Sequence, residues 1–319
     1  MARLSTPRIL IIGELNVDIV VTGLKSVPKL GVEILASDCE LTLGSASAIF
    51  ATGMSKLGHL VTFVSQVGRD SFGDFCVNAL EQAGVATDNV ARVDEKTGVT
   101  IALSTARDRA LLTYQGAIST LAANRVDGSL LKRHQHLHLT SYYLQRRLQS
   151  SFADLLREAK RQGLTTSFDP NSDPAGEWSG GIHRVIRHSE ILFVNEPEAV
   201  NLTGKATARS ALRVLAELVP CAVIKLGRRG AIAMKGNQLF THPGFKIEAV
   251  DTTGAGDSFD AGFISAYLRE APPSECLQIG NACGALSALK PGGTKGQPTR
   301  RELDDFLRSA ETNSPRRKG

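Results

Sequence analysis

The chain has 319 residues, 42% hydrophobic and 22% charged, with a formal net charge of +5. Those proportions exclude a disordered or fibrous chain and allow one large α/β domain or two small ones, either able to bury a full core. Five scattered cysteines, an odd number without a C-x-x-C pair, exclude a disulfide framework or cysteine zinc site and fit a reducing compartment.

From the N-terminus, RILIIG at 8–13 predicts a buried strand ending in a glycine turn. Its apolar run is short, and Glu14 and Asp18 bring charge into the residues just beyond it. No signal peptide or membrane span is therefore expected, and the protein should be soluble and cytoplasmic. Residues 19–43 are β-rich and lack helical period. Helical spacing appears next at Ser47–Leu57, then a strand at Val61–Val64 and a second helix at Asp74–Ala83. Residues from about 93 to 117 break the rhythm again: 97–105 alternate, Asp108 and Arg109 offer a turn, and Ala110–Tyr114 returns as a partner strand. Beyond them strands at Leu137–Thr140, Thr165–Phe168, Ile191–Val194 and Ala222–Leu226 alternate with helices at Ser151–Arg161 and Ala208–Leu218. A hairpin is expected over Ala231–Lys235 and Gln238–Thr241, turning at Gly236-Asn237. Short continuous apolar strands alternating with helices predict an α/β fold: a mostly parallel central sheet covered on both faces. The two excursions are expected to pair into a small second sheet.

Part of the positive charge sits in the terminal Arg316-Arg317-Lys318, read as a solvated tail over 313–319. A nucleic-acid surface calls for a basic stripe interleaved with aromatics, and aromatics are only 5% here. No nucleic-acid or membrane partner is expected, and a mildly basic enzyme with an anionic substrate fits.

The chemistry concentrates in DTTGAGDSFDAGF at 251–263. Phe259, Phe263, Ala266 and Tyr267 share one side of a helix whose first turn holds Asp257. Gly254, Ala255 and Gly256 would then present backbone N–H groups at the positive end of the helix dipole, an anion site suited to phosphate. Asp257 has two readings. As a helix-start carboxylate it stabilises by about 0.3–1 kcal/mol. As a general base it takes a proton from a hydroxyl attacking a bound phosphoryl group. No P-loop G-x-x-x-x-G-K-S/T is present, and the glycines at 254, 256 and 262 do not fit G-x-G-x-x-G.

These residues resemble the C-terminal signature of the ribokinase-like family, the phosphofructokinase-B type of sugar and nucleoside kinases. The resemblance runs from about residue 8 to 310 with landmarks in family order: GELNVD from Gly13, the stretch Gly44–Gly58, VGRDSFG from Val67, the return strand ending at Gly116-Ala117, NEPE from Asn195, KLGRRG from Lys225, and GNACGA around Asn281. It implies a ribokinase-like domain over 1–312, with lid segments at about 19–43 and 93–117 closing over the substrate. The activity implied is ATP-dependent phosphorylation of a small sugar or sugar derivative. Asp257 would be the base, and Gly254, Ala255 and Gly256 would hold the transferring phosphoryl group. Asn16, Asp18, Gly44, Ser45 and Ile49 would meet the acceptor. Asn195, Lys225, Gly227, Gly230 and Asn281 would lie at the nucleotide. Glu198, with Asn195, would organise hydrated Mg²⁺, and Asp251 and Thr253 match the loop that binds a monovalent cation such as K⁺ in many members. Many relatives pair their lids, so a homodimer is expected.

The match departs at two places. The family's G-G-x-x-x-N becomes GSASAI here, with Ser45 for the second glycine and Ile49 for the asparagine, and Ile49 offers no hydrogen bond. Asp173 also stands where an arginine is common. The phosphate-transfer half is intact and the acceptor half altered, so a nucleoside kinase is a second reading. A non-catalytic sugar- or nucleotide-binding protein is a third, which the retention of Asp257 argues against.

His134, His136 and His138 alternate on one face, but no carboxylate or cysteine joins them, and a structural role is expected. His59, His183, His188 and His242 read as surface or loop residues, Trp178 as loop packing, and Cys283 as a small apolar residue without redox function.

Overall fold

The computed structural model describes residues 6–105 and 109–312. Asp108, expected in the lid turn, and the tail 313–319 lie outside the described residues. Among the described residues the strands are β1 (Arg8–Ile12), β2 (Asn16–Leu24), β3 (Asp38–Leu43), β4 (Leu60–Gly68), β5 (Ala86–Val93), β6 (Gly98–Thr105), β7 (Arg109–Tyr114), β8 (His136–Thr140), β9 (Thr165–Asp169), β10 (Ile191–Asn195), β11 (Cys221–Lys225), β12 (Ala231–Lys235) and β13 (Gln238–His242).

The large sheet has the order β13-β12-β11-β10-β9-β8-β1-β4-β5, and it is parallel except for the two pairs involving β12. Residues 9–12 of β1, 191–194 of β10 and 221–224 of β11 read as continuous apolar runs because both faces are covered, while β8 and β9 carry buried His, Thr and Ser. Ile9 and Ile11 of β1 enter one hydrophobic cluster, and Leu10 and Ile12 enter the other. The same division separates Ile191 and Phe193 from Leu192 and Val194 in β10. The expected hairpin is β12–β13, turning at Gly236 with φ 57°. Among the described residues no helix is long and apolar enough to cross a membrane.

The second sheet has the order β3-β2-β6-β7. It draws on both excursions, with limits that differ from the sequence reading. β2 begins at Asn16, and β6 begins at Gly98. Residues 86–93 form β5, a partly exposed edge strand of the large sheet whose polar sequence carries little apolar signal. Asp70 fastens the root of the small sheet. Its carboxylate caps the helix Ser71–Gln82 by accepting from the Gly73 N–H, and it also accepts from the N–H and hydroxyl of Thr97. On the opposite side Glu40 of β3 pairs with Lys295.

The alternating histidines are structural. His136 and His138 share the Ser167 hydroxyl at 2.7 Å each, His136 also meets the Thr165 hydroxyl, and His138 stacks on Phe50 with ring centroids 3.7 Å apart. Burial holds His138 down to about 3, so it is neutral. His59 departs from the surface role expected of it. It is buried and bonded to Ser265, because the chain after helix Ala46–Lys56 turns under helix Ala255–Tyr267. Trp178 packs edge-on against Tyr143, and burial pushes the Cys283 thiol up to about 12.

Candidate active site

The first group of candidates lies where β1 passes into β2. Asn16 Nδ2 donates to Asp18 Oδ1 at 3.0 Å and approaches the Thr100 hydroxyl at 3.5 Å. Asp18, Thr42, Thr100 and Thr113 stand in register across the small sheet, making a polar row. Gly44 is glycine by necessity: a Cβ there would overlap the Asp18 carboxylate and fall 2.6 Å from Asn16 Nδ2. Ser45 caps helix Ala46–Lys56 with φ 72°, a positive value that favours glycine. It is held there by accepting from the Ala48 N–H and donating to the Glu14 carbonyl. Ile49 is buried and fills the space against the backbones of Gly254 and Gly293. The helix that starts beside Asp18 therefore runs against the turn that precedes Asp257.

That turn places Gly254 at φ 68° as the cap of helix Ala255–Tyr267, with Asp257 in its first turn. The Ala255 N–H is already given to the Thr252 carbonyl at 3.2 Å. Asp257 is half-buried. Burial raises its carboxyl to about 7; Lys225 opposes the rise, and Asp169, Glu14 and Glu198 add to it. Such a group is poised to exchange a proton near neutral pH.

Two residues the sequence reading overlooked complete the arrangement. Asp169 ends β9, and Asp260 follows Asp257 by one helical turn. Lys225, read from sequence as a nucleotide neighbour, points into this cluster: its Nζ lies 2.7 Å from Asp169 Oδ2 and 3.0 Å from Asp260 Oδ2. Glu14 is a third overlooked carboxylate. It is buried and accepts from the hydroxyls of Ser47 and Ser141. The i, i+3 spacing of Asp257 and Asp260 was the available signal; Asp169 and Glu14 carried none that was local.

Asn195 and Glu198 form a capping box on helix Glu196–Thr203, each side chain bonding the other's backbone N–H. Burial and then Asp169 raise the Glu198 carboxyl to about 7. The oxygen donors and surplus negative charge here fit a hard divalent cation. Gly227 and Gly230, at φ 58° and 81°, shape the turn from β11 into β12. Asn281 donates to the Leu277 carbonyl of its own helix, Pro273–Ser287, which packs closely on helix Ala255–Tyr267. Asp251 accepts from the N–H and hydroxyl of Thr253 and from the Gly292 N–H, tying its loop to residue 292. The structure thus gathers Asp257, Lys225, Asp169, Asp260 and Glu198 in one largely buried charge network, and Ile49 against Gly254 joins it to the group of Asn16, Asp18 and Gly44.

A parallel sheet with a small β-lid and a glycine turn leading into an acidic helix start defines an α/β phosphotransferase architecture. The pfkB family carbohydrate kinase profile matches residues 6–300, and the chain belongs to that family. A ribokinase of Haemophilus influenzae is 30% identical over 312 residues, covering 94% of this chain and 98% of that one. A 2-dehydro-3-deoxygluconokinase of Bacillus subtilis is 30% identical over 291 residues, covering 87% and 90%. Among solved structures, an E. coli chain designated ribokinase II, in complex with ATP and Mg²⁺, superposes with a TM-score of 0.84 at 26% identity, covering 95% of this chain and 99% of that chain.

Proposed function

We propose that this carbohydrate kinase transfers the γ-phosphoryl group of ATP to a hydroxyl of a small sugar or sugar derivative. The observation that carries the reading is the placement of Asp257 in the first turn of a glycine-led helix, whose Gly254 packs on Ile49 of the helix that starts beside Asn16 and Asp18. The acceptor oxygen forms the new P–O bond as its proton passes to Asp257. The bridging P–O bond of ATP breaks, and ADP leaves with the electron pair. Gly254, Ala255 and Gly256 line the path of the transferring group, with the Gly256 and Asp257 amides as its donors. Asn16 and Asp18 orient adjacent hydroxyls, while Gly44 and Ser45 shape the floor beneath them. Lys225, Gly227, Gly230 and Asn281 border the nucleotide side, and Asn195 and Glu198 would hold hydrated Mg²⁺, which neutralises phosphate charge when bound. Asp251 and Thr253 organise the loop assigned to K⁺. The complex of the E. coli relative with ATP and Mg²⁺ supports the nucleotide and metal.

The domain is read as 1–312 with a separate tail at 313–319. Exposed Leu111, Leu112 and Tyr114 on β7 support a homodimer through the lid. Buried free thiols support a cytoplasmic setting.

The test is ATP consumption across pooled sugars, sugar acids and nucleosides with Mg²⁺ and K⁺, beside an Asp257→Asn control. Turnover with a sugar or sugar-acid pool, lost in the control, is expected. Turnover with nucleosides alone would move the assignment to a nucleoside kinase, a reading supported by Ile49 in place of asparagine. ATP binding without product from any pool would favour the non-catalytic reading.

A further inference from the structure

Strands β9 and β11 end beside helix Ala255–Tyr267, and their last residues bring a buried ammonium and carboxylates together under the Gly254–Asp257 turn. Lys225 Nζ lies 2.7 Å from Asp169 Oδ2 and 3.1 and 3.0 Å from the two oxygens of Asp260. The Lys225 side chain is 14% exposed, that of Asp169 2% and that of Asp260 1%. A Cβ on Gly256 would sit 3.2 Å from the same Nζ, so the ammonium lies against the backbone next to Asp257. One oxygen from each of Asp169, Asp257 and Asp260 lies within 4.8 Å of the others. Asp169 and Asp260 thus hold the ammonium between them from a strand end and a helix.

We propose that Lys225, clamped by Asp169 and Asp260, is a positioning residue: it carries the fixed positive charge beside Asp257, and that charge sets the pH at which Asp257 becomes a base. The proposal rests on the reading of Asp257 as the base. Asp257 is faced by Asp169 from β9, Glu14 from the end of β1, Glu198 from helix Glu196–Thr203 and Asp260 on its own helix, all acidic. Lys225 from β11 supplies the opposing charge. Burial works against the ammonium, but Asp169, Asp260, Asp257 and Glu198 outweigh it and keep Lys225 charged throughout the working pH range. The clamp explains why a lysine at the end of a strand faces inward. Two carboxylates fix where its charge stands, against the backbone next to Asp257.

The test compares the pH profile of kcat for wild type, Lys225→Met, Lys225→Arg and Asp169→Asn. It also follows the Asp257 side-chain carbon by NMR titration of the free protein, the signal being assigned by its loss in Asp257→Asn. Removing the positive charge should move the acidic limb and the NMR midpoint up by about one to two pH units. Removing the Asp169 charge should move both down, and Lys225→Arg should restore them toward wild type. If Lys225→Met does not fold, Lys225→Met/Asp260→Asn, which removes a carboxylate with the ammonium, is compared with Asp260→Asn and should show the same upward move. A purely structural lysine would lower kcat at every pH and leave both midpoints in place, which overturns the proposal. So would midpoints moving in the same direction in Lys225→Met and Asp169→Asn. Full turnover by Asp257→Asn would refute the base assignment, and the role given to Lys225 in setting the base would fall with it. The NMR midpoints would still report whether the two charges are coupled.

Discussion

Replacing Asp257 with asparagine should make the protein more stable while disabling it. Burial raises the Asp257 carboxyl from an ordinary 3.8 to about 7. At about 1.4 kcal/mol per pH unit, that rise corresponds to a cost of about 4 kcal/mol for holding the ionised form in the folded protein. Asp257 keeps some contact with solvent, so the realised cost is nearer ~2 kcal/mol. The sign comes from proton counting. Between about pH 4 and 7 the folded state binds more protons at this site than the unfolded state, so the contribution to stability falls as pH rises. Below that window both states are protonated, and asparagine should match aspartic acid. Above it the variant escapes the whole cost. For a chain of this length, ~2 kcal/mol corresponds to a Tm increase of about 3 °C. Thermal unfolding of both proteins at steps from pH 4 to 9 measures it. The expected result is a gain that grows from near zero at pH 4 to a plateau above pH 7, with kcat lower by about 10²–10⁴-fold. A variant no more stable than wild type at pH 8, or a gain that does not vary with pH, would refute the reasoning. The base would then hold its charge without strain, and the trade of stability for activity at this position would not exist.

The geometry around the site sets two further outcomes. Gly44→Ala should drive a methyl group into Asp18 and Asn16; displacement worth about 1–3 kcal/mol should raise the acceptor KM by roughly 5- to 150-fold with kcat little changed, and an unaltered KM would remove Asn16 and Asp18 from acceptor binding. A thiol reagent should modify one cysteine per native chain, the exposed Cys39, and all five after unfolding. Cys221, Cys276 and Cys283 are held up to about 12, chiefly by burial, so a second fast thiol would contradict the packing of these cysteines.

The layered fold was legible because its signals are local. A strand covered on both faces favours successive apolar residues, and residues 9–12 (ILII) state that without reference to any neighbour. The turn at Gly254, the helix after it and the position of Asp257 also depend on only a few adjacent residues. The edge strand Ala86–Val93 escaped because a half-exposed edge needs few apolar residues, and pairing with β4 decides it. Asn195 and Glu198 carry the spacing of a capping box, a signal the sequence reading passed over in favour of a ligand role, and the backbone uses both side chains in that way.

What the sequence determined by itself was the class of fold and the identity of the acidic helix start, since both arise from periodicity and turn chemistry within short windows. What only the tertiary structure decided was the company that Asp257 keeps. Asp169, Lys225 and Asp260 are separated by 56 and 35 residues along the chain. They meet because parallel strands all end on the same side of the sheet, and burial there gives their charges a force that no local pattern of residues encodes.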